Sequence, residues 1–469
     1  MKRFTCLAIL LIFLSAWGLH AQEIIKTTAQ DRQTVQLVIY NQNFALVREV
    51  RQVLLPIGES YLYIENIPAK IEPESVIGQS LFTPEDFVIL SQSYHYDLIT
   101  SKNLLDKYVG KHIQVYFENP FTGRKELADA LLLSTQDGPI CAIDGKVFLH
   151  CPGEVILPQL PQGLFPVPTL VWYVRNTGSE DLHLFQLSYL TSGMDWQADY
   201  MLVLTEAGKG NLGGWITINN QTGSSYHQAQ VSLVAGEVHK TEVTTPLYRA
   251  KAFEHRTPRE VKERPFFEYH LYTLPQLLDL NNDEKKQIQF IKKENINVQE
   301  QYLYTGNNYY YRSYYDTPLS KDKIRVCLKI ANNKDNNLGL PLPPGKIRVY
   351  QRDQEGNLVF IGEDKISPTP VGQEIKLAMG IAFDLTASRR QVTYRRLSGS
   401  LYEIGWEISF RNSKDRPVDI TVQEDVPGDW EVLKTNTIYQ KVDAHTLQFI
   451  VTVPAQSEAK VEYIVRVKD

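Results

Sequence analysis

The feature that most constrains this chain is the period of its hydrophobic pattern, which is two almost throughout its length. Val, Ile, Leu, Tyr, Phe and Thr alternate with polar residues in short runs broken by Gly, Asn, Asp and Pro. Successive side chains of an extended strand face opposite sides of a sheet, so such runs make half-buried strands. Examples are 35–40, 45–50 and 60–64, with Pro56-Ile57-Gly58 as a turn between the last two. The pattern predicts an all-β protein built from several β-sandwich domains of immunoglobulin or fibronectin type, with a small inserted β-barrel.

With 469 residues the chain is too long for a single core. It divides into a leader at 1–21, an N-terminal β domain at 22–100, a barrel-like insertion at 101–160, a central sandwich at 161–385 and a C-terminal sandwich at 386–469. The insertion is marked by tight turns at Asn119-Pro120, Thr122-Gly123, Asp137-Gly138 and Asp144-Gly145. Within the central part, the charged stretch 240–264 breaks the alternation and reads as a solvated loop. The C-terminal part alternates again, with Trp406, Phe410 and Trp430 as expected core residues.

Lys2 and Arg3 precede an apolar run from Leu7 to Leu14, and Leu19-His20-Ala21 ends on a small residue, the grammar of a secretory signal peptide. The run is shorter than the ~20 residues that span a bilayer, so no transmembrane segment is expected after cleavage. Export to the periplasm, the cell surface or the medium follows. Beyond the leader only Cys141, Cys151 and Cys327 remain. A two-residue turn at Asp144-Gly145 places Cys141 opposite Phe148 and sends Cys151 to the other face, so no structural disulfide is expected. A net charge of -5 argues against nucleic acid as a partner.

No standard catalytic signature occurs: there is no His-Glu-x-x-His, Gly-x-Ser-x-Gly, Cys-x-x-Cys, Gly-x-Gly-x-x-Gly or P-loop. Asp279, Asn281 and Asp283 have the spacing of a calcium loop, but Glu284 stands where that loop needs Gly and Phe290 where it needs Glu. No catalytic residue, metal ligand or cofactor is therefore expected. Two groups stand out as ligand-binding candidates. Asp195 and Asp199 flank Trp196, and paired carboxylates beside an aromatic ring are the materials of a sugar-processing site; in a strand, however, the carboxylates lie about 13 Å apart, beyond the ~5 to ~10 Å of glycosidase pairs. The second group is Tyr309, Tyr310 and Tyr311, within a segment, 302–315, that holds seven tyrosines among Gly306, Asn307, Asn308, Arg312 and Ser313. Such a composition suits either an adaptable contact surface or local ring packing.

Four segments carry a family resemblance: 187–200, which joins a strand, Gly193 and a second aromatic strand; 212–220 continuing to 233–238; 267–275; and 340–350 continuing to 360–364. In these the chain resembles exported bacterial proteins that carry the domain of unknown function 4139. The 38–47 stretch, with Leu55-Pro56-Ile57-Gly58, is similar to the domain that precedes this region in mucoidy inhibitor A-like proteins, although the coiled coil of those relatives has no counterpart here. The resemblance implies a β-rich fold and export, and no defined activity, cofactor or catalytic residue. The functional expectation is a non-catalytic interaction or structural module of the cell envelope, whose partner is an unknown envelope protein or glycan. An envelope hydrolase or a glycan-binding protein is the alternative.

Overall fold

A computed structural model describes residues 24–119, 122–161, 163–179, 181–205, 208–236, 238–239, 262–266, 269–316 and 319–468. The leader and all but the last residues of the 240–264 loop lie outside them. The described chain is nearly all β, as the alternation requires, and its strands form five sheets over three cores.

The largest core is built mainly by three sheets. The strands Ile24–Thr27, Gly58–Glu65, Thr169–Asn176 and Phe87–His95 make the first. A second contains Arg32–Tyr40, Phe44–Leu54, Leu182–Ser192 and Tyr226–Ala235 among its eight strands. The third is the central sheet, in the order Glu284–Asn297, Lys209–Asn220, Met194–Thr205, Gly345–Arg352, Leu358–Ile366. Phe44–Leu54 pairs along its whole length with Leu182–Ser192, and Gly58–Glu65 with Thr169–Asn176. The N-terminal and central segments are thus interleaved in the same sheets, and the expected boundary between separate domains at 22–100 and 161–385 is corrected. Local periodicity reports where a strand is; its partner is chosen by packing far along the chain.

The 187–200 segment is where the chain changes sheet. Leu182–Ser192 belongs to the second sheet and Met194–Thr205 to the central one, with Gly193 between them at φ 85°. A Cβ there would stand 2.7 Å from the carbonyl oxygen of Gln221, so the switch needs glycine on both counts. Tyr189 on one side and Trp196 and Tyr200 on the other are buried in the common core.

The insertion is a five-stranded sheet, ordered Lys146–Phe148, Ile140–Ile143, Lys125–Ser134, His112–Glu118, Glu154–Ile156, with a helix at Ser101–Tyr108. Thr100 caps that helix by accepting the amide of Asn103 at 3.1 Å. The two outer strands are three residues long and do not pair with each other, so the sheet stays open where a closed barrel was expected. Asp144 and Gly145 both have positive φ, and Cys141 lies opposite Phe148, as the turn chemistry predicts. The strand nevertheless stops at Phe148, and the chain bends back until the Cys151 amide donates to the Pro139 carbonyl at 2.8 Å. Cys141 and Cys151 are consequently joined in a disulfide, with Cα atoms 5.5 Å apart, against expectation. Only a strand continued straight past Phe148 would carry Cys151 to the other face, and here the strand ends first.

The third core lies in a nine-stranded sheet that folds over itself. Phe449 and Tyr463, from strands that are not neighbours in the sheet, bring their ring centroids to 5.2 Å. Trp406, Phe410 and Trp430 are buried there as expected. Two long strands, Leu319–Ala331 and Glu374–Ser398, run from the first core into this one: Leu328, Ile330, Ile375 and Leu377 pack in the former, Ile324, Leu385 and Ala387 in the latter. A boundary at 385/386 therefore falls inside a continuous strand, and Gln299–Thr305 and Leu319–Ala331 belong to the C-terminal sheet as well.

Candidate functional site

Asp195, Trp196 and Asp199 sit on Met194–Thr205, the middle strand of the central sheet. Alternation sends Trp196 inward, where it is buried, packs against Tyr272 and donates from Nε1 to the carbonyl of Val234 at 3.1 Å. No face of its ring is open to a sugar. The aspartates point the other way and are engaged by the sheet itself. Asp195 accepts from Asn219 Nδ2 at 3.1 Å; Asp199 accepts from Thr217 Oγ1 at 3.2 Å and lies 3.6 Å from Arg348 Nη1. Gln287 donates to Thr217 on one side, and Arg348 and Lys346 meet Glu363 on the other. The result is a polar ladder across five strands, which ties neighbours together in register.

The tyrosine segment divides. Tyr302 and Tyr304 belong to Gln299–Thr305, and a short 3-10 turn at Asn308–Tyr311 follows. Tyr309 is 49% exposed, whereas Tyr310 and Tyr311 are buried in the C-terminal core. The Arg389 guanidinium lies against the rings of both Tyr310 and Trp406, at 4.0 and 4.2 Å from their centroids, and the two rings pack on each other with centroids 5.7 Å apart. Arg389 Nη2 donates to Glu424 Oε2 at 3.0 Å, and the Tyr311 hydroxyl donates to the same oxygen at 2.8 Å. Tyr463 closes the group, its hydroxyl 2.8 Å from that of Tyr311. Burial first, and then the Glu424 charge, push both phenols well above their ordinary value, so they stay protonated as donors. This segment's rings enclose a buried ion pair and leave only Tyr309 and Tyr314 on the surface.

A similar polar group lies in the first core. Glu49 accepts from Arg51 Nη2 at 2.7 Å and pairs with Arg32 Nε at 2.5 Å, and Arg51 also donates to the Glu65 carbonyl at 2.9 Å. In both cores the sequence carried the signal: Val47, Glu49, Arg51 and Val53 share one strand face, as do Leu385, Ala387 and Arg389. A charge at an inward position of an alternating strand must find a buried partner.

The surface that solvent leaves apolar is elsewhere. Leu358–Ile366 is an edge strand of the central sheet, and Leu358, Val359, Phe360 and Ile361 are all exposed on it, Phe360 by 53%. Tyr350 packs edge-to-face with Phe360, their centroids 5.6 Å apart. The Glu374–Ser398 strand runs alongside: the Ala378 amide donates to Asp364 Oδ2 at 2.7 Å, and Gly362 packs on Met379. Farther along that strand a bulge opens, because Arg325 pairs with Ile381 and Lys323 with Thr386, leaving residues 382–385 opposite Ile324 alone. Asp384 is pinned there by the Ser413 amide at 2.9 Å and Lys414 Nζ at 3.5 Å. Phe383 is thereby thrust into solvent at 96% exposure, next to the exposed Ile381. The run of four apolar residues at 358–361 was visible in the sequence; only the topology reveals it as an edge.

Among the described residues no group of His, Cys, Asp and Glu is arranged to hold a metal ion, and no helix is long and apolar enough to cross a membrane. No protein-family model matches the chain, and no curated protein matches it.

Proposed function

We propose that this chain is an exported interaction module of the bacterial cell envelope that works without catalysis and docks a protein partner on the exposed apolar end, 358–361, of the Leu358–Ile366 strand. The observation that carries this reading is the apolar edge strand, with Phe360, Ile361 and the bulge-mounted Phe383. Folded chains ordinarily guard such an edge with charge, proline or a covering loop, since its free amides and carbonyls template further pairing. An edge left apolar marks a contact surface.

Three further observations support the reading. The Cys141–Cys151 pairing suits an oxidising compartment, in keeping with the signal-peptide grammar at 1–21. The aspartates of the hydrolase alternative are occupied by Asn219, Thr217 and Arg348. We read the four segments quoted above as a resemblance to exported proteins that carry the domain of unknown function 4139, which is in keeping with this proposal.

The test is a photo-crosslinking amino acid at position 360 in the full chain expressed in its envelope, with the exposed Lys102 position as control. The expected result is a discrete protein adduct from 360 that is absent from 102 and is lost when Phe383→Asp is added. The same adducts from both positions, or none from 360, would overturn the assignment.

A further inference from the structure

The nine-stranded sheet runs on past the core it encloses. Leu319–Ala331 pairs with Glu374–Ser398 only as far as Arg389, so that among the described residues 390–398 is paired on one side alone, with Leu401–Asn412. Tyr394 lies opposite the buried Ile404, and Arg396 opposite Tyr402. By alternation Tyr402 shares the inward face of Ile404 and Trp406, and Tyr394 and Tyr402 pack half-buried on the end of the C-terminal core. Tyr314 comes in from the segment that follows the 3-10 turn and completes a row of rings. Its centroid is 6.2 Å from that of Tyr394, which in turn is 6.0 Å from that of Tyr402. The Arg396 guanidinium ends the row, 5.7 Å from the Tyr402 centroid.

The row is held from below and open above. Gln391 accepts the Tyr315 amide at 2.9 Å and donates to the Ser313 carbonyl at 3.1 Å, so one side chain ties down both neighbours of Tyr314. The Tyr314 hydroxyl donates to Asp316 at 3.3 Å, yet the residue is 64% exposed. Arg396 donates from Nε and Nη2 to the Gly399 carbonyl at 3.2 and 2.8 Å, and the Tyr402 hydroxyl donates to the same oxygen at 3.4 Å. Among the described residues, Arg396 Nη1 and the Tyr394 hydroxyl have no hydrogen-bond partner, and Arg396 has no carboxylate at ion-pair distance. A ligand would meet ring faces and a guanidinium already in place, with little left to order.

We infer that this row binds an acidic oligosaccharide, with sugar faces on Tyr314, Tyr394 and Tyr402 and a carboxylate at Arg396. The C–H hydrogens on a pyranose face carry a small positive charge that suits the negative face of an aromatic ring, and its hydroxyl rim suits the free phenol of Tyr394. The rings follow one another at about the length of one sugar, and they tilt by 53° and 35° from each to the next, as successive units of a twisted chain do. The guanidinium is the planar cation that matches a carboxylate. This surface is separate from the 358–361 edge, and the failure of either reading leaves the other standing.

The test is calorimetric titration of the full chain with hexagalacturonic acid, cellohexaose, hexaglutamate and decaproline. The first shares its sugar form with the second and its charge with the third, and the fourth is the peptide type that aromatic grooves otherwise take. Hexagalacturonic acid is expected to bind saturably, about tenfold more tightly than each of the others, and to weaken as salt rises. Tyr314→Ala and Arg396→Gln should each lose about tenfold in affinity, whereas Tyr314→Phe, which keeps the ring, and Tyr96→Ala, at an exposed tyrosine of the N-terminal part, should bind as the parent does; thermal melting checks that each variant folds. Absence of saturable binding, equal or tighter binding of hexaglutamate, decaproline or cellohexaose, or an unchanged affinity in Tyr314→Ala or Arg396→Gln would overturn the inference.

Discussion

Arg389 and Glu424 pair at 3.0 Å with neither side chain reaching solvent, and the flat faces of Tyr310 and Trp406 take the place of water around the guanidinium. Two charges in such a place are costly unless each keeps its partner. Arg389→Met strands the carboxylate, and we expect it to lower stability by about 3 to 5 kcal/mol in urea unfolding. Adding Glu424→Leu to that variant should recover most of the loss. A double variant no more stable than the single one would mean that the pair is not what holds this core.

The insertion has a core of seven buried residues under an open sheet, a small apolar content for a unit of its length. The Cys141–Cys151 link should therefore matter locally. We expect Cys141→Ser/Cys151→Ser to cost the insertion roughly 2 to 4 kcal/mol and to raise amide exchange across 101–157, with exchange in Phe44–Leu54 and Leu182–Ser192 unchanged. Uniform loss of protection in both regions would contradict a local staple.

Gly78 lies under the Trp172 indole, which comes from the facing sheet, so closely that a Cβ would collide with the six-membered ring. Trp172 is fully buried and cannot swing aside. Gly78→Ala should thus destabilise by about 1 to 3 kcal/mol through overpacking, although the backbone of Gly78 is not in the left-handed region. The additional change Trp172→Phe should relieve the clash and recover part of the loss. A neutral Gly78→Ala in thermal melting would show that the sheets can part at no cost.

Burial pushes the Tyr226 phenol up to about 12, more than the Thr222 hydrogen bond and the nearby Arg32 pull it down. The unfolded chain loses this proton near ~10. Folding then holds the proton more tightly, so the associated stability is intact below ~10 and is lost as pH rises toward the folded value. Tyr189, Tyr311 and Tyr463 shift in the same direction, also chiefly through burial. Between pH 8.5 and 11.5 we expect urea midpoints to fall, and Tyr226→Phe to lose less than the parent by on the order of 2 kcal/mol. Equal losses in the two proteins would refute this assignment.

Much of the candidate chemistry could be placed on a face from the sequence and on nothing more. Asp195 and Asp199 share a strand face by alternation, but Asn219, Thr217 and Arg348, which engage them, come from two other strands. Tyr310 and Tyr311 read equally well as surface or core until Arg389 and Glu424, far along the chain, are seen to require them. Asn336 ties the Glu284–Asn297 strand to a later turn, and no spacing rule connects the two.

By itself the sequence determined that this is a β protein, where strands such as Phe44–Leu54 and Met194–Thr205 lie, which residues face inward, and that Asp144-Gly145 turns a hairpin. These follow from alternation and turn conformation, which are properties of neighbouring residues. Only the tertiary structure decided that Phe44–Leu54 pairs with Leu182–Ser192, that one strand runs through two cores, that Cys151 returns to Cys141, and that 358–361 is an edge. Every strand offers the same ladder of amides and carbonyls, so the backbone cannot choose among partners. That choice belongs to side chains meeting across the sheets, where Trp172 needs Gly78 and Arg51 reaches the Glu65 carbonyl.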